Sequence, residues 1–282
     1  MNKNYSLRQE YLPKDAGIRS GNGKLLQNTV ETIKRWTTVR PASRRVEAIP
    51  FKTPFANFLL AGQTEKALAR LMPHLERVTL ASDEYIYQPD DNIDFIYFPE
   101  TTVMSEFQIL EDGRTVEIAM IGREGIAGHS AVFCSQPAMN WTQISVAGSA
   151  LKINSQILRE EFNQDEELRA SIFDYVNHYI GQISQRVICN SYHTVEKRMC
   201  SWLLMLQDRN KSSKIQMTQE HLARFLGVHR PSITQIAQTL RRKNLISYVR
   251  GNIFIINRPE LEKAACECYE IVHRNSLDSY LF

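Results

Sequence analysis

The chain has 282 residues, enough for about two domains and at least one sizeable core. Hydrophobic residues at 43% and charged residues at 23% exclude a disordered, collagen-like or coiled-coil chain, and five cysteines without a C-x-x-C pair exclude a disulfide-stapled scaffold, a zinc ribbon or a thioredoxin motif. The net charge of +3 hides an uneven distribution: residues 1–52 carry +7, residues 53–208 −10, residues 209–251 +8 and residues 252–282 −2. A dense basic block behind an acidic body suggests an anionic partner such as nucleic acid; a solvated Lys/Arg-rich helix is the alternative.

Residues 1–52 lack a sustained period and read as a basic, partly disordered extension. A short amphipathic piece is marked by Leu25, Leu26, Val30, Ile33 and Trp36. The first residues have no apolar core of a signal peptide. The uncharged stretch between Glu124 and Lys152 contains Gln136, Pro137, Asn140, Thr142, Gln143 and Ser145, too polar for a spanning helix. A soluble, cytoplasmic chain with no membrane partner is expected.

Residues 53–164 form the second predicted segment. Phe58, Leu59, Leu68, Leu71 and Leu75 have helical spacing and predict a helix over 58–75. The period then falls to two at Val78 and Leu80, Tyr85 and Tyr87, Phe95 and Tyr97, then Val103, Ser105 and Phe107. Asp112-Gly113 before Val116, Ile118 and Met120 is a strong hairpin signal. Short strands separated by turns indicate an antiparallel sandwich or barrel.

Residues 165–207 return to helical period. Leu168, Ile172, Val176, Tyr179, Ile183 and Val187 stand three or four apart on one long helix. A narrow apolar stripe of this kind pairs with a copy of itself or lies on a sheet. A homodimer through these six residues is the expectation. A second helix spans Val195 to Leu206.

The most specific motif lies within residues 208–258. Thr218 is a helix N-cap candidate, Gly227 supplies a turn, and Pro231 fits an early helical position. Ile233, Ile236 and Leu240 are the buried stripe of the second helix. Arg230, Ser232, Thr234 and Gln235 fall on other faces, and Arg and Gln are side chains that read guanine and adenine in the major groove. Thr218, Gln219 and His229 border that helix, while Arg241, Arg242, Lys243 and Arg250 suit phosphates, as do Lys211 and Lys214. Residues around Arg250-Gly251-Asn252 read as a wing. The residues therefore predict an α+β chain: an antiparallel sandwich or barrel, a long helix suited to dimerisation, a winged helix-turn-helix, and a helical tail over residues 259–282.

Together these segments resemble the Crp/Fnr family of bacterial transcription regulators over about residues 55–258. The segment from Thr218 to Ile246 carries the family's DNA-binding pattern, and Ile121 to Phe133 resembles its Gly-rich loop. The resemblance implies that the strands form an antiparallel β-roll of jelly-roll type serving as a sensory domain, and that the long helix is the dimerisation helix. It also implies a sequence-specific homodimer on a near-palindromic duplex site, with RNA polymerase and an unidentified small-molecule effector as further partners. It places a candidate effector pocket at Gly122, Glu124, Gly125, Trp141 and Thr142. Cyclic-nucleotide binders of the family carry an Arg for the phosphate where this chain has Asn140-Trp141-Thr142, so cyclic AMP is not expected to bind. The family's N-terminal cysteine cluster is absent, since no Cys precedes Cys134. Cys189 and Cys200 read as core. Cys266 and Cys268, taken as helical, would point apart. No metal, cofactor or catalytic set is expected: His74 and His129 are the only His of the β-segment, and no G-x-S-x-G occurs. A non-catalytic ligand-binding or interaction scaffold with little specific DNA binding is the alternative reading.

Overall fold

The computed structural model describes residues 55–274 apart from Ser135 and Lys211. The expectations for residues 1–52, for Lys211 and for the end of the tail lie outside the described residues. The described residues lie in the compact unit Phe51–Phe282.

The helix predicted over 58–75 is divided. α1 (Phe58–Ala61) ends at Gly62, and α2 (Glu65–Leu71) begins anew because the Thr64 hydroxyl accepts from the Ala67 N–H. A 3-10 turn, Met72–His74, follows.

The strands β1 (Glu76–Leu80), β2 (Tyr85–Tyr87), β3 (Phe95–Pro99), β4 (Val103–Ile109), β5 (Thr115–Ile121), β6 (Trp141–Val146) and β7 (Gly148–Asn154) form two antiparallel sheets. Their orders are β1-β7-β3 and β2-β6-β4-β5. β4 and β5 are the predicted hairpin, with Ile109 opposite Thr115 and Gly113 at φ 82° in the turn. The short α3 (Ser130–Phe133) lies between β5 and β6.

Two helices follow, α4 (Ser155–Gln164) and α5 (Glu166–Tyr192), separated by Asp165, whose carboxylate caps α5 by accepting from Leu168 N–H. His193 and Thr194 join α5 to α6 (Val195–Asn210). β8 (Lys214–Gln216), α7 (Gln219–Leu226), α8 (Arg230–Arg242), β9 (Ile246–Val249) and β10 (Asn252–Ile255) make a helix-turn-helix with a small sheet of order β8-β10-β9. α9 (Arg258–Ala264) and α10 (Glu267–Arg274) close the described chain.

Two cores result. The first fills the β-roll with Ile96, Phe98, Met104, Ile121, Ile126 and Ile153, and is closed by α4 and α5. The second places Val103, Phe107 and Met120 of the roll against Trp202, Leu206, Phe225, Ile233 and Leu240. β4 thus has two buried faces. Met104 and Glu106 face α5, whereas Val103 and Phe107 face the helices that follow it.

The long helix requires a correction. Leu168 and Ile172 are fully buried and Tyr179 nearly so within the protomer's own first core, so they are not a surface for a second chain. Val176 and Ile183 are half-buried at the edge of that core. The open apolar residues of α5 are Phe173, Ile180, Val187, Ile188 and Tyr192. Phe173, Val176, Ile180, Ile183 and Val187 alternate at spacings of three and four, the seam of a coiled coil.

Candidate nucleic-acid interface and sensory cavity

Local chemistry shapes the helix-turn-helix. Thr218 caps α7 by accepting from His221 N–H. Gly227 ends it at φ 64°, in the left-handed region that favours glycine, and Val228 N–H reaches back to Ala223 O. The His229 side chain makes no capping bond, but Pro231 in the first turn of α8 has no N–H to satisfy. Ile233, Ala237 and Leu240 are buried, whereas Arg230, Pro231, Gln235, Gln238, Arg241 and Arg242 are exposed. At the wing, Arg250 and Gly251 occupy φ 48° and 77° between paired strands, a two-residue turn that presents Arg250 to solvent. Thr218, Gln219, Arg230 and Tyr248 line one groove beside Gly251.

Not every predicted DNA-facing side chain is free. The Thr234 hydroxyl donates to Gln219 Oε1 at 2.7 Å and so ties the two helices together. Lys243 Nζ pairs with Glu196 Oε1 at 2.8 Å. Ser232 is half-buried. Of the predicted residues, Arg230, Gln235, Arg241, Arg242 and Arg250 remain exposed long polar side chains, and Gln238 joins them on α8.

The helix-turn-helix is joined to the roll. Phe225 stacks on Trp202 with ring centres 5.8 Å apart and meets Phe107 edge-on at 6.3 Å. The Thr115 hydroxyl donates to Arg224 O at 3.0 Å, and Arg198 donates to Leu226 O at 2.8 Å.

The candidate pocket needs correction. Gly122 N–H and Arg209 both donate to Glu124 Oε1, at 3.1 and 2.7 Å, so this carboxylate is used inside the protein. A Cβ on Gly125 would come within 2.1 Å of Tyr175, so that glycine exists for helix packing. A Cβ on Gly122 would press on Arg209. Trp141 turns to the opposite face, against Tyr85 and Phe107. Of the five predicted residues only Thr142 lines the cavity found beside His129 and Tyr179.

That cavity, about 220 Å³, lies between the roll and α5. Its polar walls include Glu106, His129, Ser130, Asn140, Thr142 and Tyr179, and its apolar walls include Tyr87, Ile93 and Ile183. The Tyr179 hydroxyl donates to Glu106. His129 packs on Tyr179 with ring centres 4.5 Å apart, and its Nδ1 is buried without a hydrogen-bond partner. Burial holds its imidazole below the usual pKa and therefore neutral. The cavity lining contains no Lys or Arg. Cys134, close to His129 in sequence, is exposed and donates to Ser130 O.

Sequence reasoning missed one cluster altogether. Cys189, His193, Cys266 and Cys268 converge where α5 ends and α10 begins. Cys266 stands before α10 rather than within it, which is why it and Cys268 can face one point.

Among the described residues no helix is long and apolar enough to cross a membrane. A family model described as a Crp-like helix-turn-helix domain matches residues 197–264. The Anaerobic regulatory protein of Bacillus subtilis (strain 168) is 19% identical over 192 residues, 65% of this chain and 81% of that protein. FixK2 of Bradyrhizobium japonicum superposes with a TM-score of 0.59 at 14% identity, over 68% of this chain and 98% of that one. TTHB099, a transcriptional regulator of the CRP family from Thermus thermophilus, gives 0.58 at 17% identity, over 67% and 96%. These likenesses carry the fold.

Proposed function

We propose that this chain, a member of the Crp/Fnr regulators by its helix-turn-helix domain and its fold, reads duplex DNA as a homodimer and takes its signal through the cavity under α5. It is a DNA-binding regulator of transcription, not an enzyme. The observation that carries the reading is the exposed face of α8, with Arg230 and Gln235 flanked by Arg241, Arg242 and the wing tip Arg250. Arg230 begins α8, and N-terminal residues of such helices reach base edges. The heptad-like seam Phe173, Val176, Ile180, Ile183 and Val187 supports a pair of α5 helices, which would set two α8 helices on a near-palindromic site.

In-vitro selection on random duplexes tests this. Arg230→Ala will relax preference at one base pair per half-site by about 1–3 kcal/mol, and Gln235→Arg will move preference towards guanine at another. Neutralising Arg241 and Arg242 together will flatten the salt dependence on all sequences alike, by about 0.9 in log–log slope for each phosphate no longer neutralised. Unchanged selected sites in both α8 variants would sink the assignment.

The cavity supports a small neutral or cationic effector. A phosphate monoanion there would meet Glu106 and a neutral imidazole with no cation to balance it. Calorimetric titration with cyclic AMP or cyclic GMP is expected to show no binding. Micromolar affinity for either would overturn this part of the reading.

A further inference from the structure

The Cys189, His193, Cys266 and Cys268 cluster lies outside both the DNA-reading helix and the cavity. Cys189 is in the last turn of α5, and His193 is the residue after that helix. The spacing of four sets both on one side of the chain. Cys266 comes from the loop between α9 and α10, and Cys268 from the first turn of α10. The three thiols form a buried group of their own.

One donor atom from each of the four residues lies within 4.8 Å of all the others. Cys189 Sγ is 3.5 Å from Cys266 Sγ, and Cys268 Sγ is 3.3 Å from His193 Nδ1. A tetrahedral zinc ion, with bonds of about 2.3 Å to sulfur and about 2.0 Å to nitrogen, sets its donors roughly 3.5–3.8 Å apart. Two of these separations already stand near the spacing that one ion imposes, and no pair of the four donors is farther apart than 4.8 Å. They are too close together to surround a multinuclear iron–sulfur cluster.

The surroundings suit such an ion. His193 Nε2 is 3.2 Å from Glu267 Oε1, the carboxylate partner that orients a metal-bound imidazole. Gln185 Nε2 donates to Cys268 Sγ at 3.1 Å, and the Ser201 hydroxyl is 3.0 Å from Cys266 Sγ. Three thiolates and a neutral imidazole on a divalent ion leave one negative charge. The buried Arg198, in the first turn of α6, donates to Asn190 Oδ1, one residue beyond Cys189.

The geometry points to a structural metal site in which Cys189, His193, Cys266 and Cys268 bind one divalent d-block cation, zinc in the first place. Soft thiolates with imidazole select zinc over the hard cations. Four protein donors complete a tetrahedron and leave no position for a substrate, so the role is to hold the fold. The ion fastens the end of α5 to α10 beside the two-residue joint that leads into α6 and the helix-turn-helix. Arg198 is hydrogen-bonded both to Asn190 of α5 and to Leu226 O at the end of α7, so a metal that fixes the end of α5 stiffens the link between the roll and the DNA-reading end.

The test uses the full chain, purified under reducing conditions, stripped with chelator, and titrated with Zn²⁺ or Co²⁺. One equivalent per chain is expected, and cobalt will show the visible absorption of a tetrahedral thiolate site. Cys266→Ser with Cys268→Ser will abolish stoichiometric uptake, with circular dichroism checking that the pair still folds. His193→Cys, which keeps four donors, will retain uptake, as will Cys134→Ser and Cys200→Ser. Glu267→Gln will weaken it by about tenfold. The assignment is overturned by a reduced chain that takes up no metal, by uptake indifferent to the Cys266/Cys268 pair, or by iron accompanied by acid-labile sulfide.

Discussion

Replacing Arg186 with Met will destabilise the folded chain by about 3–5 kcal/mol at neutral pH, because it leaves a carboxylate buried without its cation. Glu117 on β5 is fully enclosed. It accepts from Arg186 of α5, from the Ser105 hydroxyl at 2.5 Å and from Trp202 Nε1 of α6 at 2.7 Å. Burial pushes its carboxyl above the ordinary pKa, and Arg186 is the largest influence pulling it back. Without Arg186 the folded chain holds the Glu117 proton to still higher pH than the unfolded chain does. A folded state that binds more protons loses stability as pH rises. The variant's deficit will therefore be smallest in acid, below the unfolded carboxylate pKa, and will grow as pH climbs through the raised folded value. Urea unfolding at pH 5 and pH 8 measures this, and equal deficits at both would show that Glu117 bears no charge for Arg186 to balance. Adding Glu117→Gln to Arg186→Met will recover much of the loss.

Ile180→Asp together with Val187→Asp will turn the chain into a monomer and lower its specific DNA affinity by about a thousandfold or more, towards the non-specific level. Both side chains are more than half exposed, at 56% and 62%, so aspartate is tolerated in the isolated protomer. Across a paired α5 the aspartates would oppose one another inside an apolar seam. Light scattering and fluorescence anisotropy on a selected duplex provide the readouts. A dimer that survives both substitutions would place the interface elsewhere. Ile172→Asp would answer a different question, since Ile172 is fully buried and its loss would unfold the roll.

The helix-turn-helix is legible in the sequence because its signals are local. Thr218, Gly227 and Pro231 each act within one turn of the chain, and each holds the position that its chemistry suggests. The β4–β5 hairpin is legible for the same reason. The dimer stripe is ambiguous in sequence because α5 is apolar on two sides, one for the roll and one exposed. A 3–4 spacing fits either, and only burial separates Ile172 from Ile180. The break between α1 and α2 depends on one capping hydroxyl, whose signal the surrounding leucines obscure. The cavity lies at Gly128 and His129 rather than at Gly122 and Gly125 because glycine marks close approach without saying to what: at Gly125 the neighbour is Tyr175. The thiol cluster is invisible to spacing, since 77 residues separate Cys189 from Cys266 and only the tertiary fold brings them together.

The two-faced strand β4 ties the cavity to the helix-turn-helix. Glu106 lines the cavity and holds the Tyr179 hydroxyl, while its neighbour Phe107 meets Phe225 of the helix-turn-helix on the other side. The pairing of β4 with β5 slips register between these two residues, and such a bulge is a point of local bend and twist. A guest that drew Glu106 away from Tyr179 would thus act beside an irregular step of the strand. The displacement would emerge one residue later, beneath the helix that positions α8, with no change needed in the rest of the sheet.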